Sequence, residues 1–223
     1  MKNIIIFGGG KIGYAVAHYI RQWQLFEIAT HVVDEQYVDM NPMGLEVVSS
    51  DKVLDRFPPQ KYSAFVALGY HDLNIFRAEK CLQLASLGYD LVDVVNPDAP
   101  SDLKVGGNCF VAAGETIQPG CKVERNGFVW NGATIGHNSV VGEDAWITGG
   151  ASIGGNVKVG RASFVGIGAT IGNGVVIGRN CVLGAGALCV KDIADNVVLV
   201  EKETPTFRLN SEQFKKMSGM FRG

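Results

Sequence analysis

The strongest constraint on this chain is a repeat of six residues that runs from position 105 to position 189. Every sixth residue from Val105 to Leu183 is valine, isoleucine or leucine, fourteen times in succession without a gap. Most of these aliphatic residues are followed by glycine, and a small residue usually stands two places before them. A hexapeptide repeat of this regularity is typical of a parallel β-helix, whereas an ordinary antiparallel sheet alternates with a period of two.

Three such hexads complete one triangular coil, so fourteen hexads predict nearly five coils. In each coil the aliphatic side chain points inward, the small residue occupies a corner, and glycine gives that corner its backbone freedom. No coil can bury its apolar side alone, but stacked coils share one aliphatic column. We therefore predict an all-β prism over residues 105–200, followed by a tail over 201–223 with a short helix near 211–217.

A small Rossmann-like α/β domain is predicted ahead of the repeat, over residues 1–96. Residues 3–7 are typical of a buried strand, and the loop GGGKIG follows them with the spacing GxGxxG. An amphipathic helix comes next, and then a second strand that ends in two carboxylates. In the dinucleotide fingerprint the loop binds a phosphate, and a carboxylate binds a ribose or base. The candidate substrate-binding residues are Gly8, Gly10, Gly13, Asp34 and Glu35.

This domain is too short for a complete dinucleotide-binding sheet. Further strands are predicted near residues 46–48, 63–68 and 90–95, which give only half of a Rossmann sheet. A half-sheet suits one nucleotide diphosphate, such as a nucleotide-sugar. An NAD site and a purely structural glycine turn are the alternatives.

Tyr70 is a further candidate for substrate binding, because it follows the buried strand 63–69 at its carboxyl end, where open α/β sheets bind ligands. Asp72 is predicted to cap a helix over residues 73–87. Two prolines then mark the domain boundary, and a linker is predicted over residues 97–104.

Composition excludes several classes of protein. The net charge of −2 gives no basis for a nucleic-acid partner. No apolar run reaches the roughly 18–20 residues of a membrane span, and the N-terminus lacks a signal-peptide core, so we expect a cytoplasmic protein without a membrane partner. The five cysteines have no metal-binding spacing and are interpreted as structural, and no metal is predicted.

His137 is the only histidine within the repeat, and it stands two places after the inward-pointing Ile135. Its imidazole is therefore expected at an outward corner of the prism, with no aliphatic face to enclose it. Histidine exchanges a proton near neutral pH, and a general base typically contributes about 10²–10⁴-fold to a rate. We interpret His137 as a general base, with a solvated surface histidine as the alternative.

Almost the whole chain resembles the hexapeptide-repeat sugar acyltransferases, which include sialic acid O-acetyltransferases and the N-acetyltransferases that make bacillosamine and perosamine derivatives. The stretches IGHNSVVGEDAWI, SIGGNVKVG and LGAGALCVKD carry this resemblance, as does the order of small domain, repeat and short tail. The resemblance implies a left-handed β-helix, a homotrimer with active sites between neighbouring prisms, and acetyl-CoA as the cosubstrate.

The resemblance also implies roles for individual residues. His137 matches the catalytic histidine, and Gly155 matches the glycine whose backbone N–H holds the thioester carbonyl. Ile167 and Ala185 match positions that line the pantetheine arm of the coenzyme, and Trp146 is expected to pack against that arm or the acceptor. The glycine loop and the acidic strand end match the part of the small domain that holds a nucleotide-sugar.

Several residues depart from the family pattern. Asn138 stands where the family often has an acidic residue that orients the histidine, and a neutral amide stabilises an imidazolium less strongly. Trp146 replaces a second histidine, and Trp130 replaces an asparagine. The glycine loop has Ile12 where a histidine is usual, which argues against a copy of the bacillosamine enzymes.

These observations predict an acetyl-CoA-dependent acetyltransferase that acts on the amino group of a nucleotide-linked sugar in surface glycan synthesis. The alternative within this class is an O-acetyltransferase whose acceptor is a hydroxyl of sialic acid or of an O-antigen sugar. A non-catalytic scaffold or a zinc enzyme like carbonic anhydrase would belong to another class. Such a zinc site needs several histidines, and the repeat has one.

Overall fold

The N-terminal domain is a parallel sheet with helices, as the sequence predicts, in a computed structural model that describes residues 3–40, 43–202 and 204–218. Its elements are β1 (Asn3–Phe7), α1 (Lys11–Trp23), β2 (Glu27–Val33), β3 (Val47–Ser49), α2 (Val53–Arg56), β4 (Ser63–Val66) and α3 (Ile75–Ser86), with 3₁₀ turns at Glu35–Tyr37 and Ser50–Lys52. The strands lie in the order β3-β2-β1-β4, which is half of a doubly wound sheet. Ile4, Ile5 and Ile6 are fully buried, because both faces of the central strand are covered.

The repeat forms a three-sided prism of two-residue parallel strands. Its strands are β5 (Val94–Val95), β6 (Lys104–Val105), β7 (Phe110–Val111), β8 (Thr116–Ile117), β9 (Lys122–Val123), β10 (Phe128–Val129), β11 (Thr134–Ile135), β12 (Val140–Val141), β13 (Trp146–Ile147), β14 (Ser152–Ile153), β15 (Lys158–Val159), β16 (Phe164–Val165), β17 (Thr170–Ile171), β18 (Val176–Ile177), β19 (Val182–Leu183), β20 (Leu188–Cys189) and β21 (Val198–Leu199). The first face has the order β21-β19-β16-β13-β10-β7-β5, the second β20-β17-β14-β11-β8, and the third β18-β15-β12-β9-β6.

The aliphatic series forms the interior of the prism. Each aliphatic is the second residue of its strand, and the residues from Val111 to Leu183 in this series are buried. The small corner residues, such as Ala133 and Ser163, are buried with them. Val105 differs, because it is 36% exposed on a strand at the end of its face.

Each corner from Asn108 to Gly186 is turned by a residue with a left-handed backbone. Three successive corners use Asn126, Gly132 and Asn138, with φ values of 59°, 71° and 57°. Asparagine and glycine are the residues that adopt this conformation most readily. The same corner recurs every eighteen residues, so each coil stacks in register on the one before it.

One face of the prism packs against the N-terminal domain. The outward side chains at the centre of this face are aromatic and recur every eighteen residues, at Phe110, Phe128, Trp146 and Phe164. They share one hydrophobic core with residues of the small domain, including Ile6 and Ile20. The first face is therefore an interface between the two parts of the chain.

The start of α3 differs from the prediction. Asp72 does not cap this helix, because Asn74 occupies the N-cap position and no side chain makes a capping hydrogen bond there. The preceding turn carries Asp72, Leu73 and Asn74 in succession through left-handed conformations, with φ between 46° and 69°. This turn directs the side chain of Asn74 to Arg77 instead.

Strand pairing in the prism extends beyond the predicted limits. Val94–Val95 pairs with β7, so the segment predicted as a linker, 97–104, connects two strands of the same prism. Leu91 forms an isolated bridge with Ala64 of the small sheet. The division into domains at residue 96 stays a prediction.

The prism ends with β21 on its first face, and the tail after it contains a helix, α4 (Ser211–Ser218). The last five residues of the predicted tail, 219–223, lie outside the described part of the chain. None of the helices in the described segments is long and apolar enough to cross a membrane.

Candidate active site

One corner of the prism aligns two predicted site residues with a third residue that the sequence did not single out. His137, Gly155 and Asn173 are eighteen residues apart and follow β11, β14 and β17 on the second face. Parallel strands in a ladder are about 4.8 Å apart, so these residues occupy successive levels of one edge. The structure therefore brings His137 and Gly155 together, as the sequence resemblance implies.

The imidazole of His137 is exposed, and the backbone and the ring of this residue each have one polar neighbour. Its backbone N–H donates to Oε1 of Gln118 at 2.9 Å. Its Nδ1 lies 3.4 Å from the amide nitrogen of Asn138, a long contact for a hydrogen bond. Nε2 can act as a base only when the ring proton sits on Nδ1, and an amide oxygen is the acceptor that this proton requires. Asn138 supplies that oxygen when its amide group turns by half a revolution.

Gly155 leaves a notch in the column beside the histidine. A Cβ atom at Gly155 would lie 2.6 Å from Nε2 of His137, so the ring occupies the space of the missing side chain. The N–H of Gly155 donates to Oδ1 of Asn173 at 2.8 Å. Its carbonyl accepts from the N–H of Gly174 at 2.9 Å. The N–H expected to hold a thioester carbonyl is thus paired with a side chain from the next coil.

A second group of predicted residues lines an apolar groove that we call the aromatic pocket. It lies at the corner between the first and second faces and has a volume of about 440 Å³. Its lining includes Tyr70, Trp130, Trp146, Phe164, Ile167 and Ala185. Three residues expected to contact the coenzyme, Trp146, Ile167 and Ala185, therefore share one surface.

Trp146 contributes only a small part of its surface to this pocket. Its side chain is 2% exposed and stacks on Phe128 at 5.0 Å between ring centroids. Tyr70, expected near the nucleotide-sugar, instead packs on Trp146 and Phe164 at 5.4 and 4.9 Å. Ile167 is 67% exposed and forms an open side of the groove.

The glycine loop borders a separate cavity of about 330 Å³, which we call the glycine pocket. Of the residues predicted here, Gly8, Gly10 and Asp34 line it, together with His71. The loop ends at the N-terminus of α1, where Gly10 offers no side-chain cap and the first N–H groups are available to an anion. Asp34 accepts from Nζ of Lys80 at 2.7 Å.

Gly13 and Glu35 do not line the glycine pocket. Gly13 is buried, and a Cβ there would collide with the backbone of Gly8, so its role is to let the loop fold tightly. Glu35 is exposed at the start of a 3₁₀ turn. These two positions are not brought to the cavity by the structure.

The side chain of His31 makes a hydrogen bond to the glycine loop, a contact that the sequence did not predict. It is 3% exposed, and its Nδ1 lies 2.9 Å from the carbonyl oxygen of Gly8. Because a carbonyl only accepts, Nδ1 carries the proton. Burial, more than any other effect, lowers the pKa of His31.

Arg77 is a second residue that sequence reasoning missed. It is fully buried between α3 and the first face of the prism, and its guanidinium donates to Asn74, to Asn126 and to the carbonyl of Asp144. The guanidinium also stacks over Phe128 at 4.3 Å. Burial lowers the pKa of Arg77 to about 10, so it stays charged at neutral pH.

The five cysteines are free and buried. Burial raises the pKa of Cys81 and of Cys109 to about 12, so both remain as thiols at neutral pH. In the described segments, no group of three or more His, Cys, Asp or Glu side chains is arranged to hold a metal ion.

The three-sided prism of stacked parallel strands is a left-handed β-helix of the hexapeptide-repeat type, the fold that the similar solved structures share. Among solved structures, PerB from Caulobacter crescentus in complex with CoA and GDP-perosamine is similar, with 27% identity and a TM-score of 0.79. The similarity covers 89% of this chain and 93% of PerB.

A second solved structure is the acetyltransferase domain of PglB from Neisseria gonorrhoeae FA1090 in complex with acetyl coenzyme A. It has 25% identity and a TM-score of 0.77, over 88% of this chain and 95% of its own. WeeI from Acinetobacter baumannii AYE, at 17% identity and a TM-score of 0.58 over 90% and 97% of the two chains, shows the fold alone.

No protein-family model and no curated protein matches the sequence. In fold, the chain is similar to the hexapeptide-repeat amino-sugar N-acetyltransferases, and the resemblance found in the sequence is confirmed.

Proposed function

We propose that this protein transfers the acetyl group of acetyl-CoA to the amino group of a nucleotide-linked sugar. The observation that carries the proposal is the imidazole of His137, which lies across the notch at Gly155 on an outward edge of the prism. The two similar structures held CoA with GDP-perosamine and acetyl coenzyme A, which supports the same pair of substrate classes here.

The chemistry requires one base and no covalent enzyme intermediate. The acceptor nitrogen attacks the thioester carbonyl carbon while Nε2 of His137 removes a proton from that nitrogen. The carbon–sulfur bond of the tetrahedral intermediate then breaks, and the protonated imidazole returns its proton to the departing CoA sulfur. With its amide turned so that the oxygen faces Nδ1, Asn138 would keep the ring in the required tautomer.

The aromatic pocket is the proposed site of the pantetheine arm. Ile167, Ala185 and the exposed edge of Trp146 offer an apolar surface to this flexible chain. From this pocket the arm would carry the thioester toward the notch at Gly155 of a neighbouring copy of the chain. Apolar contact along such an arm contributes binding energy without taking part in the reaction.

The glycine pocket is the proposed site of the nucleotide part of the acceptor. N–H groups at the start of α1 and around Gly8 and Gly10 would hold a phosphate. Asp34, at the strand end, would accept a hydrogen bond from a ribose or base. Tyr70 lines the aromatic pocket and the next residue, His71, lines the glycine pocket, so the sugar would extend past these two residues.

The complete site requires more than one copy of the chain. Neither the aromatic pocket nor the glycine pocket of this chain includes His137. Adjacent corners of the prism are six residues of extended chain apart, or roughly 20 Å. We propose a homotrimer in which the histidine edge of one prism faces the aromatic pocket of a neighbour.

Because acetyl-CoA and nucleotide-linked sugars are cytoplasmic metabolites, we place the reaction in the cytoplasm.

The proposal is tested by CoA release from acetyl-CoA with a panel of nucleotide-linked amino sugars, their hydroxyl analogues and free sugars. We expect turnover with an amino sugar, and a rate that continues to rise with pH as the ammonium group of the acceptor deprotonates. Turnover only with hydroxyl acceptors would instead identify a sugar O-acetyltransferase. Absence of CoA release with every acceptor would overturn the proposal.

A further inference from the structure

The N–H of Gly155 is not free to bind a substrate oxygen. It donates to Oδ1 of Asn173 at 2.8 Å, and Asn173 stands directly above it in the next coil. A backbone N–H has a single hydrogen to donate. A thioester oxygen at this notch therefore has to displace Asn173 or use another donor.

Asn173 has such a donor. Because a backbone N–H only donates, the amide atom facing Gly155 is fixed as the oxygen, and the NH₂ group of Asn173 is directed elsewhere. That NH₂ group has no hydrogen-bond partner among residues 3–40, 43–202 and 204–218. Asn173 is exposed, so its NH₂ group is available to a ligand on the histidine edge.

The column of side chains places this donor opposite the base. His137 lies on one side of the notch at Gly155, and Asn173 lies on the other. A Cβ at Gly154 would lie 2.7 Å from the backbone nitrogen of Asn173, so the two coils pack closely here and the position of Asn173 is fixed. The notch therefore has the imidazole of His137 on one side and the amide side chain of Asn173 on the other.

We propose that Asn173 is a catalytic residue whose side-chain NH₂ group donates to the thioester oxygen as negative charge develops on it. This inference rests on the proposed function, which it deepens by assigning the oxyanion donor. The N–H of Gly155 then acts on the substrate through Asn173, because its hydrogen bond to Oδ1 orients the amide and increases the polarity of the NH₂ group. No additional reactant is needed.

The decisive variant is Asn173→Ala, measured by CoA release with an accepted sugar. If Asn173 is the donor, kcat falls by roughly 10²-fold, the loss typical for one oxyanion donor. The KM for acetyl-CoA should stay within about threefold, because the lost interaction forms mainly in the transition state. If Gly155 itself is the donor, this variant frees its N–H, and kcat stays the same or rises, which would overturn the inference.

Asp195→Ala is the matched control. Oδ1 of Asp195 accepts from the N–H of Arg179 at 2.7 Å, the same kind of side-chain contact to a corner N–H, at a different corner of the prism. Its removal should leave kcat unchanged. An equal loss of kcat in both variants would show that Asn173 acts only by supporting the corner, and would also overturn the inference.

A second variant, Asn173→Asp, retains an oxygen for the N–H of Gly155 but lacks the NH₂ donor. We expect it to be at least as slow as Asn173→Ala while unfolding at the temperature of the wild type. Wild-type kcat in Asn173→Asp contradicts the inference. A wild-type protein without transfer activity would instead mark the failure of the proposed function.

Discussion

Nε2 of His137 lies 2.6 Å from the position that a Cβ atom at Gly155 would occupy. The two residues are eighteen positions apart in the chain and belong to successive coils. The ring can reach across the edge of the prism only because the residue above it has no side chain. The geometry of the proposed base therefore depends on a glycine as well as on the histidine.

Gly155→Ala should reduce kcat by about 10²-fold, since the added methyl group displaces the imidazole by the order of 1 Å. The fold should survive, because the atom it meets is the free end of a side chain. Gly172→Ala is the control, since its Cβ would meet other atoms at 3.5 Å or more. Steady-state kinetics and thermal unfolding of both variants check this prediction, and full activity in Gly155→Ala would contradict it.

Asn138→Asp should move the acid side of the pH–rate profile to higher pH, by up to about one unit. A carboxylate next to Nδ1 stabilises the protonated imidazole more strongly than an amide does. The ring then needs a higher pH to become a free base. The profile of kcat/KM measures this shift, and an unchanged profile would show that Asn138 does not contact the working base.

Arg77→Met should lower the free energy of unfolding by about 3–5 kcal/mol. The guanidinium donates hydrogen bonds to buried oxygens of Asn74, Asn126 and Asp144, and its removal leaves each of these oxygens with one donor fewer. Chemical denaturation measures the change. Arg56→Met, at an exposed position, is the control and should change stability by less than about 0.5 kcal/mol. Equal stability of the two variants would count against the buried network.

His31 should make the protein less stable below about pH 6.5. Burial lowers the pKa of His31 in the folded state below its ordinary value of 6.5, so the unfolded chain binds the proton more tightly. The contribution of His31 to the free energy of unfolding is complete above its pKa in the unfolded chain. It is lost as the pH falls toward its pKa in the folded protein, by up to about 1.4 kcal/mol per pH unit. A second proton would sit on Nε2, which is buried without a partner among the described residues.

His31→Asn tests this prediction, because the asparagine amide can still donate to the carbonyl of Gly8 but does not titrate. Denaturation between pH 5 and 8 should show a smaller pH dependence in the variant than in the wild type. The same dependence in both proteins would assign it to other groups.

The sequence was most informative where structure repeats locally. The inward position of Ile135 and the outward position of His137 both follow from the period of six, because each short strand repeats the same alternation. The glycine loop before α1 was also predictable, since its spacing reports a tight turn. The position of Asp34 at the end of β2 followed from the same pattern.

Contacts between distant parts of the chain were not predictable in the same way. Arg77 meets Asn126 across 49 residues, and no local period connects them. The stacking of Asn173 on Gly155 follows from the coil of eighteen residues, but the hydrogen bond from the N–H of Gly155 to the side chain of Asn173 does not follow from the repeat. One signal was present, namely the aromatic residues that recur every eighteen positions from Phe110 on one outward face, which indicate a covered surface.

The most direct test of the central claim compares CoA release by the wild type and by His137→Ala, with acetyl-CoA and a nucleotide-linked amino sugar that the wild type accepts. His18→Ala serves as the control, because His18 is exposed on α1 and lines neither pocket. We predict that kcat/KM falls by about 10²–10⁴-fold in His137→Ala and is unchanged in His18→Ala. Wild-type turnover by His137→Ala would contradict the account.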